Sequence, residues 1–169
     1  MFHGHSAEVA IRATLYLAGR APGELSPVRE VAQATKLPSP YLSKVIQRLA
    51  QAGLVRTFRG PGGGIELGKS PELITLWSLM CATDGAADMR RCAFGIGECS
   101  PNNPCPLHEK WAPLRDEFQK LLEALTLAQL RRELAQMRGT QPTIPELIAG
   151  ASGSRPDSQN TSQPERARR

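Results

Sequence analysis

The sequence predicts a mainly α-helical fold, in which a winged helix-turn-helix with a small β-hairpin wing is followed by a long dimerisation helix. Three observations predict it. Two short helical stretches with the same Ser-Pro start lie close together, two alternating stretches flank a run of glycines, and apolar residues farther along recur every three or four positions. A chain of 169 residues with 40% hydrophobic residues is long enough to form one small core.

Three helices are predicted before the glycine run. They extend from Ser6, a possible N-cap, to about Gly19, from Val28 to Thr35, and from Tyr41 to Ala52. The first is apolar on two sides, which is typical of a helix packed on two sides. In the pairs Ser26-Pro27 and Ser39-Pro40, each serine can cap a helix and each proline can take its first position. The tight turn at 36–38 between the last two helices indicates a helix-turn-helix.

The third helix has one apolar and one polar face. The apolar face is predicted to be core and consists of Leu42, Val45, Ile46 and Leu49. The opposite side holds small polar and basic residues, namely Ser43, Lys44 and Gln47, flanked by Ser39, Tyr41 and Arg48. Such groups at the N-terminal end of a helix suit the base edges and phosphates of a DNA major groove. A solvated helix surface is the alternative interpretation.

The glycine run is predicted to form the tip of the wing. Val55–Arg59 alternates like a strand, Gly60–Gly64 turns the chain, and Ile65–Leu67 alternates back. Arg59 at the tip suits a narrow minor groove, where the negative potential is strongest. Glycines such as Gly62 and Gly63 allow the backbone to approach phosphates closely.

Residues 63–70 also match G-x-x-x-x-G-K-S, the phosphate-binding loop of nucleotide hydrolases. That loop must follow a buried strand and continue into a helix that contains its lysine. Here the interior of the match alternates like a strand, and the next helix is predicted to begin after Lys69, at Ser70-Pro71. The match is therefore interpreted as chance. Because no nucleophile–base–acid set is present, the chain is predicted not to be an enzyme and to have no small-molecule substrate.

The positive charge is concentrated in the first part of the chain. Through Lys69 there are nine Lys or Arg and four Glu, a balance of +5 that equals the net charge of the whole chain. This distribution is expected of a segment that meets phosphates. The chain has no apolar run of membrane-spanning length and no signal-peptide pattern, so no membrane partner and a cytoplasmic location are predicted.

The stretch from Ser70 to about Cys81 is predicted to be a helix with a buried face of Leu73, Leu76, Trp77 and Met80. A long helix is predicted from Pro106. Its apolar residues have a seven-residue repeat typical of helix pairing and are Leu107, Trp111, Leu114, Phe118, Leu121 and Leu125. Thr126 is predicted to cap a last helix that ends near Met137.

Between these helices, three of the four cysteines lie among Gly, Pro, Asn and Ser, which disfavour regular structure. The thiols of Cys92, Cys99 and Cys105, with the imidazole of His108, can converge on one soft metal centre. In a reducing compartment, clustered cysteines are more often ligands or redox sensors than disulfides. The predicted organisation is a DNA-binding domain at 1–81, a linker and cysteine loop at 82–105, dimerisation helices at 106–138 and a disordered tail at 139–169.

The order of these motifs resembles the IscR/NsrR family of bacterial winged-helix transcriptional regulators. The resemblance runs from about Ser6 to Met137 and rests on the Arg-Gly-Pro-Gly-Gly-Gly wing at 59–64 followed by the three cysteines. It implies a homodimer that binds a near-palindromic operator in double-stranded DNA. It also implies an iron–sulfur cluster held by the three cysteines, with 2Fe–2S favoured and 4Fe–4S possible.

The two branches of the family that the chain resembles differ in the fourth ligand of the cluster. The iron–sulfur biogenesis branch implies His108, whereas the nitric-oxide-sensing branch implies an acid on the first helix of the opposite subunit, where Glu8 matches. We favour His108, because it is local to the loop and imidazole is the commoner ligand. The recognition helix lacks an acidic residue, in contrast to the biogenesis regulator, so the operator sequence stays open.

The predicted function is therefore a DNA-binding regulator controlled by a redox-, nitric-oxide- or iron-sensitive cluster. A regulator with a zinc or thiol-only site is the alternative. Zinc sites usually contain a close Cys-x-x-Cys pair, and here only Cys105 and His108 are that close in sequence.

Overall fold

The computed structural model describes residues 5–85, 92, 100–102 and 104–137. Within these ranges it contains six α-helices, one two-stranded sheet and one 3₁₀ turn at Pro71–Leu73. In chain order they are α1 His5–Leu17, α2 Val28–Thr35, α3 Ser39–Gln51, β1 Val55–Phe58, β2 Gly64–Leu67, α4 Leu76–Asp84, α5 His108–Ala124 and α6 Leu127–Gln136. The predicted mainly α-helical winged helix-turn-helix is confirmed. The predicted disordered tail lies outside the described residues.

Helix α1 lies at the centre of the core. It packs against α2, α3, α4, α6 and the wing strand β2. Ala7, Val9, Ala10 and Ala13 are completely buried, and Thr14 is buried with its hydroxyl donated to the carbonyl of Ala10. Small side chains let several helices approach α1 at once. The apolar composition of α1 on two sides thus corresponds to contacts with several neighbours.

The expected serine caps of α2 and α3 are wrong. The N-cap positions are Pro27 and Pro38, and neither helix has a side-chain cap. Ser26 instead pairs with Ile65 of β2 through two backbone hydrogen bonds of 3.0 and 2.9 Å, and Ser39 is the first residue of α3. The backbone groups of Ser26 are therefore used by the sheet.

The wing is an antiparallel hairpin in which Val55 is opposite Leu67 and Phe58 is opposite Gly64. The tip needs glycine for two reasons. Gly62 has φ +78°, which favours glycine, and a Cβ on Gly63 would lie 2.4 Å from the carbonyl oxygen of Phe58. Because residues 65–67 belong to β2 and no helix contains Lys69, the nucleotide-binding interpretation is excluded.

The helix predicted from Ser70 to Cys81 is wrong at its start. After the 3₁₀ turn the chain is extended at Ile74, whose carbonyl accepts a hydrogen bond of 2.8 Å from the amide of Leu127. Helix α4 then begins behind the cap Thr75, which accepts a hydrogen bond of 3.1 Å from the amide of Ser78. Leu73 is consequently 70% exposed rather than buried.

The two C-terminal helices pack on the winged domain. Helix α5 contacts α4, and α6 contacts α1 and the 3₁₀ turn. Helix α5 begins at His108 rather than at Pro106. The predicted Thr126 cap of α6 is confirmed, and it is completed by a reciprocal bond in which the amide of Thr126 donates to Gln129 Oε1. No helix in the described ranges is long and apolar enough to cross a membrane.

Candidate DNA-binding surface and cysteine site

Helix α3 presents the predicted polar face to solvent. Leu42, Val45, Ile46 and Leu49 are buried, with exposed fractions of 0 to 3%. Ser43, Lys44 and Gln47 are exposed on the other side. The hydroxyl of Ser43 donates to the carbonyl of Ser39 at 3.0 Å. The side chains of Lys44 and Gln47 therefore extend from a rigid helix that is anchored by its apolar face.

Tyr41, in the first turn of α3, is in contact with α1. Its hydroxyl lies 2.8 Å from Ser6 Oγ. The imidazole of His5 stacks on its ring, with centroids 5.1 Å apart and planes 23° apart. Ser6 therefore contacts the start of α3 from inside the first turn of α1, and its predicted role as a cap of α1 is wrong.

Arg48 makes a specific contact away from the polar face of α3. Its Nη1 donates to the carbonyl oxygen of Thr83 at 2.6 Å. Thr83 is in the last turn of α4, where the partial negative charge of the helix dipole favours a cation. Arg48 was predicted to contact DNA, and here it joins α3 to the end of α4.

The tip of the wing is open to solvent. Arg59 and Gly62 are exposed and Gly63 is partly exposed. The base of the wing is held by an ion pair of 2.8 Å between Arg56 and Glu66. Because α3 also packs against β1, the exposed face of α3 and the wing lie next to each other in one packed domain.

Two of the predicted cysteine ligands lie together. Cys92 is 7% exposed, and its Sγ lies 3.4 Å from the Sγ of Cys105. This separation is longer than the roughly 2.05 Å of a disulfide bond. It fits two thiolates that share one soft metal centre. Cys99 lies outside the described residues.

The other proposed ligands are arranged differently. His108 is the first residue of α5, and its amide donates to the carbonyl of Cys105 at 2.9 Å. Across the described ranges, no three His, Cys, Asp or Glu side chains converge in a metal-binding group. The structure therefore brings Cys92 and Cys105 together without adding His108 or Glu8 to them.

The carboxylate of Glu8 is bound by residues of its own helix. Its Oε1 accepts a hydrogen bond of 3.0 Å from Arg12 Nη1, and its Oε2 lies 3.5 Å from His5 Nδ1. Arg12 is only 6% exposed, and its Nη2 donates to the carbonyl of Thr35 at 2.7 Å. The carboxylate of Glu8 is thus connected through Arg12 to the end of α2.

Comparison with known proteins finds a matching family model and similar transcriptional regulators. The family model of Rrf2, described as an iron-dependent transcriptional regulator, matches residues 4–133. A putative HTH-type transcriptional regulator of Aquifex aeolicus is 33% identical over 132 residues, which cover 77% of this chain and 91% of that protein. The HTH-type transcriptional regulator IscR of Escherichia coli is 32% identical over 136 residues, which cover 79% and 83%.

Solved structures show the same fold. CymR of B. subtilis, described as a global cysteine regulator, matches with a TM-score of 0.65 and 24% identity over 77% of this chain and 95% of that one. IscR of T. potens matches with a TM-score of 0.62 and 18% identity over 83% and 91%.

Proposed function

The chain belongs to the Rrf2 family of transcriptional regulators, and we propose that it binds operator DNA as a homodimer under the control of an iron–sulfur cluster. It is a transcriptional regulator and not an enzyme. The observation that carries the proposal is the exposed polar face of α3 beside an exposed wing, in a chain that also brings Cys92 and Cys105 to 3.4 Å. We place this activity in the cytoplasm.

In the proposed complex, α3 enters the major groove of double-stranded DNA. Ser43, Lys44 and Gln47 read base edges or phosphates there. Ser39 and Tyr41 approach the DNA backbone, where the N-terminus of α3 favours phosphate. Arg59 reaches the adjacent minor groove, and the backbone at Gly62 and Gly63 lies near phosphates. Arg48 contacts the DNA only if its hydrogen bond to the carbonyl of Thr83 is broken.

Exposed leucines on α5 support the homodimer. Leu114 and Leu121 are seven residues apart on one face and are 59% and 61% exposed. Full burial of such a side chain is worth about 1.5–3 kcal/mol. Pairing of α5 with its copy would bury both leucines from each subunit and set the spacing of the two α3 helices on a near-palindromic operator.

The cysteine pair supports the cluster. We propose Cys92, Cys99 and Cys105 as thiolate ligands and His108 as the fourth, with 2Fe–2S favoured. Glu8 of the partner subunit is the alternative fourth ligand, and it would have to give up its bond to Arg12. A cluster with three thiolates and one weaker ligand supplies a centre that oxidants, nitric oxide or iron scarcity can remove.

Loss of the cluster would release the segment that joins α4 to α5. The bond between Arg48 and Thr83 connects the end of α4 to α3, so a shift at that end would move the recognition helix. A typical coupling of this kind is about 1–3 kcal/mol, a change of roughly 5- to 150-fold in DNA affinity.

The test uses full-length protein purified without oxygen and a binding site selected from random-sequence DNA. We expect visible absorbance with iron and sulfide, and salt-sensitive binding to the selected site. Replacement of Cys92, Cys99 and Cys105 by Ala should remove the colour and change the affinity. The matched control is Cys81→Ala, which should retain both. If the triple variant keeps the colour and the affinity of the unmodified protein, the proposed control is wrong.

A thiol-only sensor is the second candidate, because the sulfur atoms of Cys92 and Cys105 are close enough to bond after a small movement. A peroxide would accept two electrons and two protons from the two thiols, yielding a disulfide and, from hydrogen peroxide, two waters. Colourless protein whose DNA affinity changes with peroxide would favour this candidate. Colourless protein with stoichiometric zinc would instead identify the zinc form.

A further inference from the structure

The first turn of α1 lies against the first turn of the recognition helix. Ser6 and His5 together restrain one aromatic side chain, that of Tyr41. The ring is half-buried and is stacked on one face by the imidazole of His5. The hydroxyl is fixed by a bond of 2.8 Å to Ser6 Oγ. The stack and the bond together determine where the phenol points.

The hydroxyl of Tyr41 has hydrogen-bonding capacity beyond this one bond. A phenol can donate one hydrogen bond and accept others. Phosphate oxygens only accept, so Tyr41 can donate to a phosphate only if Ser6 is the donor in their shared bond. A serine hydroxyl can donate in this way because its proton rotates freely. The arrangement then forms a directed chain from Ser6 to Tyr41 and on to the phosphate, in which each bond polarises the next.

We propose that Ser6 and His5 are positioning residues for DNA binding: Ser6 donates to the Tyr41 hydroxyl so that Tyr41 donates to an operator phosphate, and His5 holds the ring by stacking. This inference rests on the proposed function, since it requires α3 to face DNA. It adds the N-terminus of α1 to the binding surface, which the polar face of α3 does not include.

The test is a double-mutant cycle measured as operator affinity of the full chain. Tyr41→Phe removes the donor and should weaken binding at least about 10-fold, the lower end of the range for a hydrogen bond to a charged group. Ser6→Ala removes only the orienting bond and should weaken it about 3-fold. In the Tyr41→Phe background, Ser6→Ala should have no further effect, because the chain is already broken.

Conservative variants separate positioning from stability. Ser6→Thr keeps the hydroxyl and should restore the affinity. His5→Ala should weaken binding a few-fold, whereas His5→Phe keeps an aromatic ring over Tyr41 and should bind nearly as well as the unmodified chain. All variants should show the same thermal unfolding midpoint within about 2 °C, so that a loss of affinity reports on the surface and not on the fold.

Several outcomes would overturn the proposal. Additive effects of Ser6→Ala and Tyr41→Phe would mean that the two hydroxyls act separately. A larger loss of affinity for Ser6→Ala than for Tyr41→Phe would mean that Ser6 does not act through Tyr41. If His5→Phe weakened binding as much as His5→Ala, stacking would not be its role. Lys44→Ala and Arg59→Ala are measured in parallel. If they weaken binding while Tyr41→Phe does not, only this inference is lost, and if no protein binds DNA, the proposed function is lost as well.

Discussion

Arg12 is the buried charge on which the joint between α1 and the helix-turn-helix depends. Its side chain is 7% exposed, and it donates to Glu8 at 3.0 Å and to the carbonyl of Thr35 at 2.7 Å. Its Nε is also buried, without an acceptor in the described part of the chain. We predict that Arg12→Met lowers the free energy of unfolding.

The magnitude follows from what each partner loses. The carbonyl of Thr35 would be left without Arg12, and an unsatisfied buried acceptor costs about 1–3 kcal/mol. The Glu8 side chain is 31% exposed, so water can replace part of its bond to Arg12, and the loss falls below the roughly 3–5 kcal/mol of a fully buried pair. Methionine keeps most of the apolar stem. We expect a destabilisation of about 2 kcal/mol for Arg12→Met and about 4 kcal/mol for Arg12→Ala, which also leaves a cavity.

The assay is urea unfolding followed by circular dichroism at one fixed protomer concentration, because dimerisation would make the midpoint depend on concentration. Glu8→Gln is the second substitution of a double-mutant cycle with Arg12→Met. In combination with Arg12→Met it should cost at least about 0.5 kcal/mol less than the sum of the single changes, since the two residues share a bond. A value for Arg12→Met within about 0.5 kcal/mol of the unmodified chain, or a gain in stability, would refute the reasoning.

Three further predictions concern other parts of the fold. Lys36, the residue after α2, has φ 54°, a left-handed conformation that costs less for glycine than for lysine. The unfolded chain gains entropy from glycine, which offsets part of this difference, so Lys36→Gly should raise the free energy of unfolding in urea by about 0.5 kcal/mol. A lower free energy of unfolding would contradict this. Burial and then the hydrogen bond to Glu30 raise the pKa of Tyr16 above 10.0, so the folded chain keeps this proton longer than the unfolded chain. Stability should therefore fall as the pH rises above about 10, and Tyr16→Phe should flatten that fall in thermal melts. In metal-free protein, peroxide should join Cys92 and Cys105, which peptide mass mapping would detect; a disulfide from Cys92 to another cysteine would contradict the observed 3.4 Å contact.

Helical periodicity predicted the parts of the site that depend on one element. The burial of Leu42 and Leu49 and the exposure of Lys44 follow from the 3.6-residue period of α3, and the structure confirms them. The wing could be predicted because its glycines and alternation are local signals. The serine cap of α2 failed for a tertiary reason, since the backbone of Ser26 is used by β2.

Contacts between distant residues could not be predicted. Tyr41 bonds Ser6 and Arg48 bonds Thr83, and each pair is separated by 35 residues. Nothing in the local composition distinguishes Arg48, which joins two helices, from Lys44, which extends into solvent. The sequence could not decide between His108 and Glu8 as the proposed fourth ligand for the same reason. That choice depends on how loops and subunits meet rather than on any pattern along the chain.

The last helix, α6, makes contacts that the seven-residue repeat of α5 did not predict. A seven-residue repeat predicts pairing with another helix, and the exposure of Leu121 is compatible with that. Yet Leu127 is completely buried in the core of the winged domain, and its amide bonds the carbonyl of Ile74. Arg131 of α6 donates to the carbonyl of Ala18, just after α1, at 2.5 Å. Because α1 also holds the start of α3 through Ser6, a movement of α6 would reach the polar face of α3 through directly packed elements, without passing through the cysteine segment.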